Sequence, residues 1–179
     1  MALHFDNTCH SNNNETIRDV GATLHCVTHL EFKRLDEMTS REAYDLFKLR
    51  VDVFVAEQQC PFAEIDETDA APDTSHILAY DADGRLAGCA RVFPTADTEM
   101  TETPGSRFGR FIVAPFARGT GLGPRIVEAG IKFTERWPGD LVIEAQAGLV
   151  PYYNQFGFVE EGDEFLDTGI PHRVMRIRR

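Results

Sequence analysis

The chain has 179 residues, of which 42% are apolar and 26% are charged, and its net charge at pH 7 is −11. This length and composition are typical of a single globular domain with a sizeable core. The acidic balance argues against nucleic acid and anionic membranes as partners, because both carry charge of the same sign. No apolar run is long enough to span a bilayer, and the N-terminus lacks the basic and apolar pattern of a secretory signal.

The cysteines indicate a reducing environment. Four of them are widely spaced and form no Cys-x-x-Cys pair: Cys9, Cys26, Cys60 and Cys89. Such spacing does not make a disulfide scaffold, so we predict a cytoplasmic protein. The histidines and cysteines of the polar N-terminal stretch match no zinc spacing. We therefore expect a flexible or peripheral arm over residues 1–28, one domain over residues 29–179, and no metal.

The domain is predicted to open with a strand and a helix. Residues 29–35 alternate weakly between apolar and polar side chains, which indicates a strand. Thr39 and Glu42 have the spacing of a capping box, and apolar residues recur at helical spacing as far as Arg50. Pro61 would end any helix that reaches it.

An acidic loop and a hairpin follow. Residues 64–73 carry five carboxylates. Residues 76–80 and 85–93 predict two strands, and the Asp-Ala-Asp-Gly sequence at residues 81–84 predicts the tight turn between them. We expect the loop to pair with buried arginines or to remain solvated, and the candidate arginines are Arg50, Arg91 and Arg110.

Residues 118–123, Arg-Gly-Thr-Gly-Leu-Gly, indicate a phosphate-binding turn. They follow a predicted strand over residues 107–113, in which Gly109 suggests a bulge, and they precede a predicted helix over about residues 121–137. Glycines allow close approach of a ligand, and the free N–H groups of the helix favour phosphate. The dinucleotide fingerprint fails because Ile126 replaces its third glycine, and no P-loop lysine motif occurs. The buried face of the helix is predicted to be Leu122, Ile126, Gly130, Phe133 and Trp137.

A second motif lies after a predicted strand over residues 141–145. Residues 153–158 read Tyr-Asn-Gln-Phe-Gly-Phe, and two closing strands are predicted over residues 158–165 and 172–177. The Arg-x-x-Gly-x-Gly turn resembles the pyrophosphate-binding motif of the GNAT acetyltransferases, and Tyr-x-x-x-Gly-Phe resembles the signature that closes their cofactor site. The Val-Phe-Val-x-Glu-Gln-x-Cys-Pro run after Arg50 is similar to the ElaA-like subfamily.

This resemblance covers roughly residues 30–177 and implies an α/β fold. The GNAT fold has a central twisted, mostly antiparallel sheet of six to seven strands flanked by helices, and it holds its cofactor in the splay between two central parallel strands. The resemblance implies transfer of an acetyl group from acetyl-CoA to a primary amine by direct attack in a ternary complex.

The resemblance also suggests roles for individual residues. Val113 N–H is expected to face the thioester oxygen, Tyr153 to protonate the departing thiolate, and Glu144 and Glu57 to serve the acceptor side. The residues expected to bind the cofactor are Phe111, Ile112, Val113, Arg118, Gly119, Thr120, Gly121, Leu122, Gly123, Pro124, Gln146, Tyr153 and Phe156.

Several alternatives stay open at this point. The base could be Glu57, Asp66, His76, Glu144 or a chain of waters. The alternative function is a catalytically silent module of the same fold that binds acyl-CoA without turnover. The acceptor could be a small molecule or a peptide amine, and the carboxylates between residues 57 and 73 favour a cationic one. The protein could be a monomer or a homodimer.

Overall fold

The computed structural model describes residues 27–59, 63–95 and 104–179, which form one mixed α/β unit around a seven-stranded sheet. The strand order is β1-β2-β3-β4-β5-β7-β6, and all neighbouring pairs are antiparallel except β4 and β5. This arrangement confirms the predicted fold class. The strands are β1 (Val27–Lys33), β2 (Ser75–Asp81), β3 (Leu86–Pro94), β4 (Ser106–Val113), β5 (Leu141–Gln146), β6 (Val159–Asp167) and β7 (Ile170–Ile177).

Three α-helices flank the sheet in the described part of the chain: α1 (Ser40–Arg50), α2 (Leu122–Thr134) and α3 (Val150–Asn154). The predicted capping box at the start of α1 is confirmed. The Thr39 hydroxyl accepts from the Glu42 N–H at 3.2 Å, and the Glu42 carboxylate accepts from the Thr39 N–H at 2.8 Å. Beyond Arg50 the chain continues as a π-helix, Val51–Glu57, which the sequence did not predict. Wide turns of this kind are rare and are frequently found at functional sites.

Helix α2 packs on the sheet with the predicted face, but it is shorter than expected. Leu122, Ile126 and Gly130 are buried, whereas Phe133 is only partly covered and Trp137 lies beyond the last helical residue, Thr134. Gly130 is required for the close approach of helix and sheet, because a Cβ there would lie 2.5 Å from the Phe108 ring.

Strands β4 and β5 separate soon after they pair. Their parallel ladder contains only Ser106 opposite Leu141 and Arg107 opposite Val142. On the β3 side, Arg110 and Phe111 together oppose Ala90, so β4 carries a bulge there. The bulge follows Gly109, where it was expected, but the residue in the left-handed region is Arg110, with φ of 51°. The bulge turns β4 away from β5 and opens the gap between them.

The remaining boundaries differ slightly from the predictions. β1 begins at Val27, inside the predicted arm, and ends at Lys33 because residues 35–37 form a 3₁₀ turn. The β2–β3 hairpin has its predicted turn, in which Gly84 has φ of 74°. The rest of the arm and the predicted stop at Pro61 lie outside the described residues.

Both faces of the central strands are buried. Leu78, Cys89 and Ile112 pack under α1 and the π-helix, while Ile77 and Ala90 face α2. Alternate residues of a strand point to opposite faces, so this two-sided cover explains the continuous apolar runs of β2 and β3. Within the described residues, no helix combines the length and apolarity needed to cross a bilayer.

Candidate active site

The gap between β4 and β5 is a cavity of about 200 Å³. One wall is the bulged half of β4 and the other is β5 with the start of α3, while Phe54 and Gln58 approach from the π-helix. Four residues predicted for the site line this cavity: Phe111, Glu144, Gln146 and Tyr153. The Gln146 amide donates to the Gln58 side-chain oxygen at 3.4 Å, which links the far strand to the π-helix.

The main chain of β4 presents hydrogen-bonding groups to this gap. Ala114 N–H donates to Ala87 O on the β3 side at 2.8 Å. Because N–H groups alternate in direction along a regular strand, the Val113 N–H points to the opposite side, where β5 has already diverged, whereas Phe111 lies in the bulge, where the alternation is interrupted. Ile112 lies between them and pairs with Cys89, and its side chain is buried. Of the predicted set 111–113, Phe111 lines the cavity, Val113 turns its N–H towards the gap, and Ile112 supports the core.

The predicted phosphate-binding turn lies between β4 and α2. Gly119 and Gly121 have φ of 77° and 81°, values that favour glycine, and Gly121 is the N-cap of α2 without any side-chain cap. The first N–H groups of a helix have no partner within the helix, so this turn presents an uncapped, partly positive helix end. The Thr120 hydroxyl donates to Ala117 O at 2.7 Å and fixes the turn, Leu122 is buried beneath it, and Pro124 is exposed in the first helical turn.

Arg118 connects this turn to the π-helix. Its guanidinium donates to both carboxylate oxygens of Glu57, at 2.8 and 2.9 Å, and its Nε donates to Val113 O at 3.2 Å. The hydrogen bonds from Arg118 lower the pKa of Glu57 below its ordinary value. Glu57 therefore lies against the predicted phosphate site, outside the cavity wall, rather than against Arg50.

Two adjacent tyrosines of α3 close the gap. Tyr153 is 6% exposed and lines the cavity, and burial raises its pKa well above the ordinary value. The phenol therefore stays protonated at neutral pH, as a proton donor must, although burial also weakens it as an acid. Tyr152 stacks on Phe111 with ring centroids 6.2 Å apart, and its ring also contacts Phe156 at 5.2 Å. Phe156, which was predicted to bind the cofactor, thus packs against the ring of Tyr152.

Glu144 and Arg107 form an ion pair across the opening between the strands. Arg107 Nη2 donates to Glu144 Oε1 at 2.8 Å, and both side chains are about two-fifths exposed, at 41% and 42%. Arg107 was not predicted as a site residue. No sequence signal identifies it, because only the parallel register of the folded sheet places Arg107 opposite Val142, with Glu144 two residues further along the same face.

A buried ionic cluster adjoins the cavity, and its Arg91 and Arg110 are part of the cavity lining. Arg50 donates to Glu64 at 2.6 Å and to Asp69 at 2.6 Å, and all three side chains are nearly inaccessible. Arg91 donates to Asp69 at 2.8 Å and to Asp66 at 2.7 Å. Burial alone would raise the pKa of Asp69, but the hydrogen bonds from Arg50 and from the Asp66 N–H outweigh it and lower the pKa to about 2. The arginines thus pair with the acidic loop, as the sequence suggested.

This cluster also accounts for two of the candidate bases. Asp66 accepts from Arg91 and from Arg110, the latter at 3.2 Å, and its pKa is lowered because these contacts outweigh its burial. His76 is fully buried, its Nε2 lies 3.0 Å from Asp69 O, and burial lowers its pKa. Neither residue lines the cavity, which leaves Glu144 as the candidate base that does.

The family model that matches the chain is described as an acetyltransferase (GNAT) domain, and it covers residues 38–179. The chain belongs to the GNAT acetyltransferase family. A UPF0039 protein of Mycobacterium tuberculosis is 39% identical over 143 residues, 78% of this chain and 86% of the relative. Protein ElaA of Escherichia coli is 34% identical over 138 residues, 76% of this chain and 87% of ElaA.

Solved structures agree with this assignment. An acyl-CoA N-acyltransferase from Pseudomonas aeruginosa superposes on this GNAT protein with a TM-score of 0.73 at 34% identity, covering 84% of this chain and 99% of that one. The structure of E. coli ElaA gives the same TM-score of 0.73. The resemblance stated from the sequence is therefore confirmed at the level of family and subfamily.

The GNAT fold implies an acyl-CoA cofactor, and the residues of this chain fit one. Among the described residues, α2 starts without a side-chain cap and β4 pairs with β5 only at Ser106 and Arg107. The helix end and its left-handed glycines therefore provide donors for phosphates, and the rest of the β4 edge provides them for an extended amide chain. In the described part of the chain, no group of His, Cys, Asp and Glu is arranged to hold a metal ion.

Proposed function

We propose that this GNAT protein is an N-acetyltransferase that moves an acetyl group from acetyl-CoA to a primary amine by direct attack in a ternary complex. The observation that carries the proposal is the gap between β4 and β5. It runs from the uncapped end of α2 along the free edge of β4 to a cavity lined by Tyr153 and Glu144.

The cofactor would be held at two places. The N–H groups at residues 119–123 and the Arg118 guanidinium would bind the pyrophosphate, since they combine unpaired donors with positive charge. The main chain from Phe111 to Val113 would pair with the pantetheine amides as an added strand. Gln146, on the opposite wall, faces the same gap.

Acetyl-CoA supplies an activated acyl carbon, and the chain supplies positioning and proton transfer. Val113 N–H would donate to the acyl oxygen and stabilise the negative charge that develops there. Tyr153 would deliver a proton to the departing sulfur, because its buried phenol is protonated at neutral pH. Glu144 would accept the proton of the amine, directly or through water, since it is the candidate base on the cavity wall.

Ion pairs within the acidic segment weaken the charge argument for a cationic acceptor. The three carboxylates of the buried cluster, Glu64, Asp66 and Asp69, face three guanidinium groups, and Glu57 is paired with Arg118. These four carboxylates therefore add little net negative charge to the cavity, and we propose a primary amine that needs no further positive charge.

Calorimetric titration with coenzyme A tests the binding part of the proposal. Gly121→Glu places a carboxylate at the N-cap of α2 and should abolish measurable affinity by repulsion of the pyrophosphate. Gly84→Glu is the matched control: Gly84 also has positive φ, at 74°, but it lies in the β2–β3 turn. Equal affinity of the two variants would exclude the turn as the phosphate site.

A panel of primary amines with acetyl-CoA tests catalysis. Release of free thiol together with an acetylated amine supports the transferase. Saturable binding of coenzyme A without acetylation of any amine would favour the catalytically silent module instead.

A further inference from the structure

Tyr152 of α3 carries a hydroxyl that is buried without a partner in the described part of the chain. The hydroxyl oxygen is buried and accepts or donates no hydrogen bond there. Leaving such a group unpaired away from water is costly, and a phenylalanine would fill the same space without that cost. The hydroxyl therefore requires an explanation that the ring packing on Phe111 does not provide.

The position of the hydroxyl indicates its role. A Cβ built on Gly123 would lie 3.0 Å from the Tyr152 oxygen, 3.4 Å from the Phe111 ring and 3.6 Å from the Val113 side chain. Gly123 belongs to the first turn of α2, so Tyr152 extends from α3 across the gap to the uncapped helix end. The hydroxyl thus joins the N–H donors at the point where the cofactor would pass from the turn at residues 119–123 to the edge of β4.

We propose that Tyr152 is a cofactor-binding residue whose hydroxyl donates a hydrogen bond to a phosphate or amide oxygen of coenzyme A beside Gly123. The inference rests on the proposed function and assigns Tyr152 a role different from that of Tyr153. Tyr153 faces the cavity and acts on the reaction, whereas Tyr152 faces the helix end and acts on affinity. The glycine at position 123 then has a specific purpose, because any side chain would displace this hydroxyl.

The test compares Tyr152→Phe with the wild type by calorimetry, using coenzyme A and ADP as separate ligands. Tyr44→Phe is the matched control, because Tyr44 is 57% exposed on α1. We expect Tyr152→Phe to weaken coenzyme A binding roughly tenfold, the loss of one hydrogen bond to a charged or carbonyl oxygen. If both ligands bind more weakly, a phosphate oxygen accepts the hydrogen bond from Tyr152. If only coenzyme A binds more weakly, the acceptor is an amide oxygen of the pantetheine arm.

Two further readouts separate this role from a structural one. The melting temperature of the ligand-free Tyr152→Phe protein should equal or exceed that of the wild type, because the variant loses an unpaired buried hydroxyl. The turnover number at saturating acetyl-CoA should stay within about twofold, since the hydroxyl acts on binding rather than on a transition-state contact. Gly123→Ala should weaken the binding of coenzyme A less in the Tyr152→Phe background than in the wild type, because both changes remove the same contact.

Unchanged affinity of Tyr152→Phe for both ligands, or a fall in the melting temperature of the ligand-free protein, would overturn the inference. Failure of the wild type to bind either ligand would be a different result: it would overturn the proposed function and this inference together.

Discussion

Replacement of Asp69 by asparagine should strongly destabilise the protein. Asp69 is 1% exposed and accepts hydrogen bonds from Arg50 at 2.6 Å and from Arg91 at 2.8 Å. The asparagine keeps the shape but removes the charge, which leaves two guanidinium groups short of their anion. Removing one partner of a buried ion pair costs about 3–5 kcal/mol, or a fall in melting temperature of roughly 10 °C for a chain of this size.

The pH dependence gives an independent estimate of the same interaction. The folded-state pKa of Asp69 is lowered from 3.8 to about 2, so its contribution is fully present above pH 4 and is lost as the pH falls towards 2. A shift of this size corresponds to about 2 kcal/mol at pH 7, of which about half is lost by pH 3. The cost estimated for Asp69→Asn is larger than the value from the pKa, because the variant also leaves the buried charges of Arg50 and Arg91 without their anion.

The assay is denaturant unfolding at pH 7 and at pH 3, with Asp73→Asn as control. Asp73 lies in the same loop but is exposed. The difference in unfolding free energy between wild type and Asp69→Asn should narrow by about 1 kcal/mol at pH 3. Burial raises the pKa of Glu64, and the Asp69 charge adds a small further rise, so Asp69→Asn lowers the pKa of Glu64 and slightly opposes the narrowing. Equal stability of the two variants at pH 7, or a difference that does not change with pH, would refute the argument.

Two further predictions concern the site. Tyr153→Phe should lower the turnover number by about 10²–10⁴-fold while coenzyme A affinity stays near the wild-type value, because the change removes the proposed proton donor and little packing. Steady-state kinetics with Tyr44→Phe as control measure this effect. An unchanged rate would show that water or another group donates the proton to the departing thiolate. Glu57→Gln should tighten coenzyme A binding by no more than a few-fold, because it frees the Arg118 guanidinium from an exposed ion pair. Calorimetry checks the second prediction, and weaker binding would show that Glu57 instead orients Arg118 for the phosphate.

Features that depend on near neighbours in the chain were predictable. The Thr39 capping box, the turn at residues 81–84 and the glycines before α2 all form where the sequence placed them. Each depends on hydrogen bonds or backbone angles within a few residues, so the local sequence contains the information. Periodicity also predicted which strands and helices exist, with ends displaced by a few residues, as at Thr134 where α2 stops before Trp137.

Contacts between distant segments were not predictable in the same way. Glu57 and Arg118 are 61 positions apart, and the ion pair of Arg107 with Glu144 spans 37. Neither residue type nor spacing identifies such partners, because register and strand order decide them. The unpaired hydroxyl of Tyr152 was not predictable either, since only the packing of α3 against α2 shows that it is buried without a partner in the described residues.

The sequence was enough to predict the strands, the α-helices, the glycine turn before α2 and, through its motifs, the GNAT family, because these depend on short-range propensities and on residues adjacent in the chain. Only the tertiary structure decided how the site is assembled. The bulge at Arg110 separates β4 from β5, and the position of α3 then brings Tyr153 to the cavity and Tyr152 to the start of α2. The physical reason is that a strand's hydrogen-bonding edge and a side chain's partner are set by what packs beside them, which no local stretch of sequence specifies.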